Sequence, residues 1–554
     1  MPRRSKNTST STKKKGKSYL NNVNLKAAGV TIQFTPDQVT EYIKCAGNPI
    51  HFIKNHVKIV HLDLGVIPFE PRDYQVDLID KLHNNRFVIA KLPRQCGKSI
   101  AVISYLLHYV MFNQNVSVAV LANKLSTAKE LLAKLKLAYE WIPKWLQQGI
   151  VEWNKYSIIL ENGSKIIASA TSASAVRGGS FNIIVLDEFA FVPENLADEF
   201  FSSVYPTISS GQTTKLVMIS TPNGMNMFYK TWINAINKRN SFIPIEVHWS
   251  RVPGRDAKWA AQEIANTSKE QFDKEQNCEF LGSIHTLITP TKLRSMPFQD
   301  PIHETELGYK VYEKPKENHT YVMTVDTSAG MGNDYHAFSL FDVTQAPYNQ
   351  VAIFRNNTLS HLLYPTVIVQ AANQYNKAHI LIEINNEGGE IANALHSEME
   401  YENILHVSHR GSHGQRVDGG FGGSHAQLGV KMSDVVKRIG CSTLKSLVEE
   451  NKLLTMDFST IRELFTFVAK KRSFEAESGH HDDLAMTLVM FAWLSNQTYF
   501  KELLDMDITK TMYKDKIAQI EETMLPFGFV DDGSEDENLS FTDSRGTVWQ
   551  KISE

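Results

Sequence analysis

The sequence predicts an α/β fold divided into two domains. Its 554 residues exceed what one hydrophobic core usually supports. From about Asp63 to Ile284, short β-rich runs alternate with longer helical stretches, and the alternation returns from about His319 to Gln497. Such alternation is typical of a parallel sheet flanked by helices. A segment without clear periodicity separates the two patterns and is punctuated by Pro290, Pro297, Pro301 and Pro315.

The composition is that of an ordinary globular protein, with 42% hydrophobic and 21% charged residues. A formal net charge of -2 gives no global attraction to nucleic acid, so any contact with DNA must be local. The longest apolar stretches are too short to span a bilayer, which predicts no membrane partner. Four scattered cysteines without a CxxC pair argue against a zinc site and a disulfide framework, and favour a reducing cytosol: Cys45, Cys96, Cys278 and Cys441.

A phosphate loop is predicted after the strand Phe87 to Leu92. The strand leads into Pro93-Arg94-Gln95-Cys96-Gly97-Lys98-Ser99 and then an apolar helix, which is the context that such a loop requires. Backbone N–H groups at the helix start would hold the phosphates of ATP. Lys98 would reach the β and γ phosphates, and the Ser99 hydroxyl would bind Mg²⁺. Leu92 stands where the usual pattern has its first glycine.

A second acidic element supports the same assignment. The buried-strand pattern Ile183 to Leu186 ends in Asp187 and Glu188. We assign Asp187 to the metal and Glu188 to the attacking water. Two solvated acids at the start of a loop are the alternative, but they leave the apolar run before them unexplained.

Further residues are assigned to the nucleotide on weaker grounds. The Gln75 amide has the donor and acceptor to pair with an adenine edge, although a lone glutamine is more often surface. Arg94 and Arg177 are candidate cations for charge developing on the γ phosphate, or else form salt bridges. Ser220 and Thr221 follow the strand Leu216 to Ile219, at the sheet edge where ligands of such folds bind.

The downstream half carries a different set of acids. Asp326 ends the strand pattern Tyr321 to Asp326, Asp334 precedes the strand His336 to Val343, and Glu383 follows the strand His379 to Ile382. Asp482 and Asp483 open the apolar helix Leu484 to Leu494. Converging carboxylates of this kind hold two metal ions about 3.5 to 4 Å apart and hydrolyse phosphodiesters. A single aspartate at a strand end is usually structural, and Asp482 and Asp483 alone could be helix N-terminal acids.

The order of these motifs resembles the large terminase subunit of T-even-type tailed bacteriophages. The resemblance covers roughly Phe69 to Leu494, and the quoted motifs that carry it are Arg94 to Ser99, Val185 to Glu188, Ser220-Thr221-Pro222, Asp326 with Asp334, Glu383-Ile384-Asn385 and His481 to Leu484. In that family a glycine-poor phosphate loop with an arginine is usual. The resemblance implies an N-terminal P-loop ATPase domain of the RecA/ASCE-like type and a C-terminal RNase H-like nuclease domain.

The same resemblance implies the cofactors and partners. ATP and Mg²⁺ are expected, with Mn²⁺ as an alternative at the nuclease site. The expected partners are double-stranded DNA, the portal protein of the procapsid and a small terminase subunit, with several copies of the chain on the portal in the host cytoplasm. Ser220-Thr221-Pro222 corresponds to the segment that couples hydrolysis to motion. A helicase-nuclease of DNA repair and a capsid scaffold with decayed sites are the alternative interpretations.

We therefore divide the chain into six predicted segments. These are a disordered basic arm over 1–18, an N-terminal helical extension over 19–62, the ATPase domain over 63–285, a linker over 286–318, the nuclease domain over 319–497 and an acidic tail over 498–554.

Overall fold

The computed structural model describes residues 18–61, 63–172, 179–209, 211–281, 285–328, 335–385, 387–409, 415–418, 426–470, 473–477, 479–504, 540–542 and 545–550. Arg177, Asp334, nearly all of the predicted basic arm and most of the predicted acidic tail lie outside these residues. The chain forms two compact units. The first contains Met1–Asp300 and Thr455–Ala485, and the second contains Pro301–Leu454 and Met486–Glu554.

The elements up to residue 300 are α1 (Pro36–Gly47), α2 (Pro49–His56), β1 (Lys58–His61), β2 (Gly65–Pro68), α3 (Asp73–Asn84), β3 (Phe87–Lys91), α4 (Lys98–Phe112), β4 (Ser117–Ala122), α5 (Leu125–Glu140), β5 (Ile150–Trp153), β6 (Ser157–Leu160), β7 (Lys165–Ala170), β8 (Ile183–Asp187), α6 (Glu194–Ser209), β9 (Lys215–Ser220), α7 (Met227–Ile236), β10 (Ile243–Glu246), α8 (Ala257–Asn266), α9 (Lys269–Glu275) and α10 (Pro290–Ser295).

The later elements are β11 (His303–Glu304), β12 (Tyr309–Val311), β13 (Tyr321–Asp326), β14 (His336–Asp342), β15 (Tyr348–Asn356), α11 (Tyr364–Gln374), β16 (His379–Ile382), α12 (Gly388–Asn393), β17 (His406–His409), β18 (Gln415–Asp418), β19 (Ala426–Leu428), α13 (Asp434–Glu449), β20 (Leu453–Leu454), α14 (Phe458–Thr466), β21 (Phe467–Lys470), β22 (Ser473–Ala476), α15 (Asp483–Ser495), β23 (Ser540–Thr542) and β24 (Val548–Gln550).

The first unit is built on an eight-stranded sheet in the order β10-β3-β9-β8-β4-β7-β6-β5. Strands β10 to β7 of this order are parallel, and β6 and β5 continue it antiparallel. All residues of β8 are buried, as expected for a parallel strand covered on both faces. Strand β9 lies between β3 and β8, so the phosphate loop and the acidic pair are separated by one strand. Because β3, β9 and β8 are parallel, their carboxyl ends meet at one sheet edge.

The second unit is built on a sheet in the order β11-β12-β15-β14-β13-β16, and β20 pairs with β15. Strand β14 is antiparallel to both of its neighbours, β15 and β13, whereas β13 and β16 are parallel. The register pairs Val325 with Ile382. Asp326 and Glu383 are the next residues on the two chains, so they lie side by side at the carboxyl ends of neighbouring strands. This arrangement places two acids that are distant in sequence at the same edge.

A buried polar network fixes helix α15 against the second sheet. The Thr324 hydroxyl donates to the Thr487 carbonyl at 2.9 Å, and the hydroxyls of Ser339 and Thr487 lie 2.6 Å apart. The Gln350 amide donates to Ser339 at 2.9 Å. Side chains alternate along a strand, so Asp326 is on the same face of β13 as Thr324. The acid therefore belongs to the face that α15 covers.

The segment 286–318, predicted as a linker without periodicity, contains regular structure. It includes α10 and the strands β11 and β12, of which β12 pairs with β15. Within the described part of the chain, no helix is long and apolar enough to cross a membrane. The four cysteines are free and buried.

Candidate active sites

The loop after β3 has the backbone conformation of a phosphate-binding turn. Gly97 is left-handed with φ 76°, and α4 begins at the next residue, Lys98. Gln95 also has a positive φ of 55°. Leu92, which replaces the usual first glycine, is buried, and its N–H donates to the Ser220 carbonyl at 3.1 Å. The backbone at Leu92 therefore still pairs with the neighbouring strand, and its side chain packs in the core. The turn begins after this residue.

A pair of side chains from α3 supports this loop from behind. The Tyr74 hydroxyl donates to the Cys96 carbonyl at 2.8 Å, and the Gln75 amide donates to the carbonyls of Cys96 and Gly97 at 3.3 and 3.2 Å. The Gln75 oxygen accepts the Arg72 N–H at 2.9 Å. A Cβ at position 97 would lie 2.4 Å from the Gln75 nitrogen, and its φ also disfavours any other residue than glycine.

These contacts give Gln75 a role that the sequence did not predict. Its side chain is buried, and both amide hydrogens have acceptors within the protein. In this arrangement the amide has no free donor to pair with an adenine edge. Gln75 is a positioning residue that holds the loop carbonyls.

We expect Gln75→Leu to lower the free energy of unfolding by about 1 to 3 kcal/mol, because the three hydrogen bonds between this side chain and the backbone are lost. Urea unfolding followed by circular dichroism measures this. The matched control is Gln148→Leu, which removes one amide bond to the Met111 carbonyl. An unchanged stability with a lost preference for ATP over GTP would instead restore the adenine-reading role.

The centre of the site is an ion pair between the loop and β8. The Lys98 Nζ lies 2.8 Å from Glu188 Oε1, and the lysine side chain is 8% exposed. The other carboxylate oxygen lies 3.5 Å from the Ser220 hydroxyl and 3.4 Å from the Thr221 hydroxyl. Glu188 has a left-handed backbone with φ 51°. Such strain in a non-glycine residue is frequent at functional sites.

Asp187 is buried at the end of β8, one residue before the ion pair. Burial raises its pKa to about 6, the negative charge of Glu188 adds to this, and the nearby Lys98 opposes it. Burial and the neighbouring negative charge both disfavour the ionised form of this carboxyl, and a bound divalent cation would stabilise it. Asp187 therefore fits the metal-binding role that the sequence predicts.

Arg94, the cation predicted to face the γ phosphate, pairs with a glutamate of α9 in this structure. Arg94 is half exposed and pairs with Glu275 of α9 at 3.1 Å, and its N–H donates to the Glu275 carbonyl. Arg255 donates to the Arg94 carbonyl at 2.9 Å. The Cys96 thiol is buried and its pKa is raised by burial, so this residue contributes a carbonyl rather than a reactive sulfur.

The second unit forms a candidate centre from Asp326 and Glu383. Glu383 is buried, and its carboxylate accepts the Asn385 amide at 2.7 Å. The Glu383 N–H donates to the Val325 carbonyl at 2.9 Å, which locks the two strand ends together. A Cβ on Gly388 would lie 1.9 Å from the Glu383 carbonyl oxygen. Only glycine permits α12 to begin this close to the end of β16.

Asp482 and Asp483 are described within the first unit. Asp482 accepts the Ala476 N–H at 3.2 Å, and Asp483 is buried with the His481 ring 3.9 Å away. Asp483 is also the first residue of α15. Their participation in the centre of Asp326 and Glu383 stays a prediction, as does that of Asp334.

Several residues hold the loop from outside it and carry no signal in the sequence. Tyr74 is an ordinary tyrosine beside Gln75, and Arg255 lies 161 residues from the carbonyl that it binds. Asn223 and Asn226 both donate to the Ala190 carbonyl, at 3.1 and 2.7 Å, and fix the turn after Glu188. No spacing rule identifies such contacts, although Asn226 is also a helix N-cap and is recognisable as one.

The fold and the first centre define a P-loop NTPase domain, and the second sheet carries paired acids at parallel strand ends. The family described as "Terminase large subunit, T4likevirus-type, N-terminal" matches residues 89–294, and "Terminase RNaseH-like domain" matches residues 323–505. The chain belongs to the family of T4-like terminase large subunits, with its P-loop and RNase H-like domains. This confirms the predicted family and fold class.

Individual relatives are distant. The terminase large subunit of Thermus virus P23-45 is 22% identical over 348 residues, which cover 58% of this chain and 63% of that protein. The chain therefore matches less than two thirds of this relative's length. Among solved structures, the HK97 bacteriophage large terminase is 13% identical, with a TM-score of 0.46 over 81% of this chain and 99% of that one. The magnesium-bound nuclease of phage G20c has a TM-score of 0.29 and is 18% identical, over 38% of this chain and 97% of its own. Likenesses this distant add nothing to the assignment.

Proposed function

We propose that this protein is an ATP-driven motor that moves double-stranded DNA into a procapsid, and a metal-dependent endonuclease that cuts concatemeric DNA. One observation carries the proposal: a single chain of this family combines the Lys98 and Glu188 pair at a phosphate loop with the Asp326 and Glu383 pair in a second unit. An ATPase alone or a nuclease alone needs only one of these centres.

At the first centre the residues fit ATP with Mg²⁺. Lys98 supplies the cation for the phosphates, the Ser99 hydroxyl in the first turn of α4 and the Asp187 carboxylate supply hard oxygen ligands, and the N-terminus of α4 favours anions. The metal neutralises charge on the phosphates when bound. Glu188 then accepts a proton from the attacking water. Arg94 reaches the phosphates only if its pair with Glu275 opens.

The ion pair provides a means of coupling. Phosphates would compete with Glu188 for the Lys98 ammonium, and the released carboxylate would be held by the hydroxyls of Ser220 and Thr221. These residues end β9 and precede α7. Nucleotide binding at the phosphate loop would therefore alter the contacts of Ser220 and Thr221. In our proposal the segment that follows β9 moves in response and couples hydrolysis to movement of the DNA.

At the second centre, Asp326 and Glu383 would hold Mg²⁺. The Asn385 amide orients the Glu383 carboxylate, as partners of metal-binding side chains commonly do. The metal would supply an activated water and stabilise the leaving oxygen. We propose Mg²⁺ as the working ion and Mn²⁺ as a substitute at this centre.

We further propose that several copies of the chain assemble on the portal protein of the procapsid, together with a small terminase subunit, in the host cytoplasm. The family membership supports these partners. A translocation assay tests the proposal against a helicase-nuclease: ATP should displace a triplex-forming strand from a duplex without separating the duplex strands. Strand separation without triplex displacement would overturn it.

The raised pKa of Asp187 predicts a specific pH dependence. Below about pH 6 a growing fraction of this carboxyl is protonated and loses its affinity for a metal. At limiting Mg²⁺ we therefore expect ATP hydrolysis to fall about tenfold for each pH unit below that value, because one proton competes with one ion. Excess Mg²⁺ should move the acid limb to lower pH. An acid limb that is independent of Mg²⁺ concentration would contradict this role of Asp187.

A further inference from the structure

A cluster of metal-binding side chain types lies outside both centres, in the helices α1 and α2. Glu41 and Cys45 are four residues apart and share one face of α1. His51 comes from α2, and His56 ends that helix. The ligand atoms of Glu41, Cys45 and His51 all lie within 4.8 Å of one another.

One carboxylate oxygen is the meeting point of the cluster. Glu41 Oε1 lies 2.8 Å from His51 Nε2, 2.9 Å from His56 Nε2 and 3.5 Å from Cys45 Sγ. Zinc bonds of about 2.0 to 2.3 Å in a tetrahedral site separate its ligand atoms by about 3.3 to 3.7 Å. The three distances to Glu41 are thus within about half an ångström of the separation that such a site requires.

The local structure holds these groups in place before any metal binds. Asn48 is the single residue between α1 and α2, and its side chain caps α2 at the N–H groups of Ile50 and His51. Cys45 is fully buried, and the His56 ring packs against Trp145 at 6.0 Å. The Asn55 amide donates to the His51 carbonyl at 2.8 Å. Both helices belong to the first unit, so the cluster does not depend on the second.

We propose that Glu41, Cys45, His51 and His56 form a structural Zn²⁺ site that joins α1 to α2. Two imidazoles, one thiolate and one carboxylate are a ligand set suited to Zn²⁺. The thiolate and the carboxylate balance the two positive charges of the ion, so the partly buried site becomes neutral. On binding, the thiol releases its proton to solvent, and each imidazole carries its proton on Nδ1. The cysteine spacing gave no sign of this site because three of its ligands are not cysteines.

The alternative is a metal-free clamp in which Glu41 accepts hydrogen bonds from both histidines. Hydrogen bonding with His56, opposed by desolvation and helped by His51, lowers the pKa of Glu41 to about 2, so the carboxylate is charged in either case. The two interpretations differ in whether the full-length protein takes up an ion at these residues.

The test is titration of the full-length protein with Co²⁺ after treatment with a chelator, in excess Mg²⁺ to occupy the oxygen-ligand centres. We expect one equivalent to give intense tetrahedral visible bands and a thiolate-to-cobalt charge-transfer band, which Zn²⁺ abolishes. Cys45→Ser should lose the charge-transfer band, whereas Cys278→Ser, at another buried free cysteine, should keep it.

His51→Gln and His56→Gln should each weaken Co²⁺ binding about tenfold or more, and the exposed His61→Gln should not. Absence of the charge-transfer band from the wild-type protein would overturn the proposal, whatever the stability of the variants. Persistence of the band in Cys45→Ser would overturn it too. Either result would leave the ATPase and nuclease proposals untouched, because their residues are separate from this cluster.

Discussion

Glu188→Gln is expected to lower the rate of ATP hydrolysis by about 100-fold or more while DNA cleavage is unchanged. The amide cannot accept a proton from water, and proton transfer by a positioned side chain contributes about 100- to 10,000-fold. The substitution also removes the charge that faces Lys98 at 2.8 Å. Phosphate release with and without DNA measures the first effect, and nicking of a supercoiled plasmid measures the second.

The matched control for this prediction is Glu246→Gln. Glu246 pairs with Lys91 at 2.7 Å, and Lys91 belongs to the strand that leads into the phosphate loop. The control breaks a lysine and glutamate pair in the same sheet but outside the centre, so ATP hydrolysis should remain within about twofold of wild type because the catalytic groups are intact. Equal losses in both variants would mean that the sheet, not the Glu188 carboxylate, is responsible.

Asp326→Asn is expected to have the second large effect, a loss of DNA cleavage without a loss of ATP hydrolysis. We expect plasmid cleavage to fall at least about 100-fold, since even the partners that only orient metal ligands contribute about 10- to 100-fold. ATP hydrolysis should be unchanged, because Asp326 lies in the second sheet. Cleavage with increasing Mg²⁺ and Mn²⁺ measures whether the loss is one of metal affinity.

Asp342→Asn serves as the control for this experiment. Asp342 also ends a strand of the second sheet, but β14 is antiparallel to β13, so it pairs with Tyr321 at the opposite edge. It is buried and accepts a hydrogen bond from His319 at 2.7 Å. This variant is expected to lose stability and retain cleavage. If Asp342→Asn lost cleavage and Asp326→Asn retained it, the nuclease centre would lie at the opposite edge of the sheet, and our assignment would be wrong.

The strands that carry the candidate residues were predictable because each is a short apolar run that ends in a polar residue. The predicted strands Tyr321 to Asp326 and His379 to Ile382 have the bounds seen in the structure, and Ile183 to Leu186 differs by one residue. Burial on both faces makes such runs continuous, and the acid marks where the chain leaves the core. The candidate residues that follow these strands therefore lie at sheet edges.

The partners of these residues were not predictable, because they come from distant parts of the chain. The position of Gln75 shortly before the loop is visible in the sequence, but only the structure shows that its amide holds the loop carbonyls. The motif shows only that Arg94 lies in the loop, whereas its pairing with Glu275 depends on where α9 packs. The strand β12 escaped notice because its three residues are too few to show a period.

The structural cluster in α1 and α2 shows the same limit. Cys45 alone is an ordinary buried cysteine, and His51 and His56 have no spacing that differs from chance. The one-residue connection at Asn48 turns the two helices so that these side chains meet around Glu41. Proline at the first position of each helix indicates the two starts, but not the angle between them.

The most direct test of the central claim is protection of linear double-stranded DNA from added nuclease, measured with purified procapsids that carry the portal. We predict that wild-type protein and Asp326→Asn protect equal lengths of DNA in the presence of ATP, because linear DNA needs no initial cut, and that Glu188→Gln protects none. Protection by Glu188→Gln equal to that by wild type would contradict the proposal that hydrolysis at the phosphate loop drives DNA into the capsid.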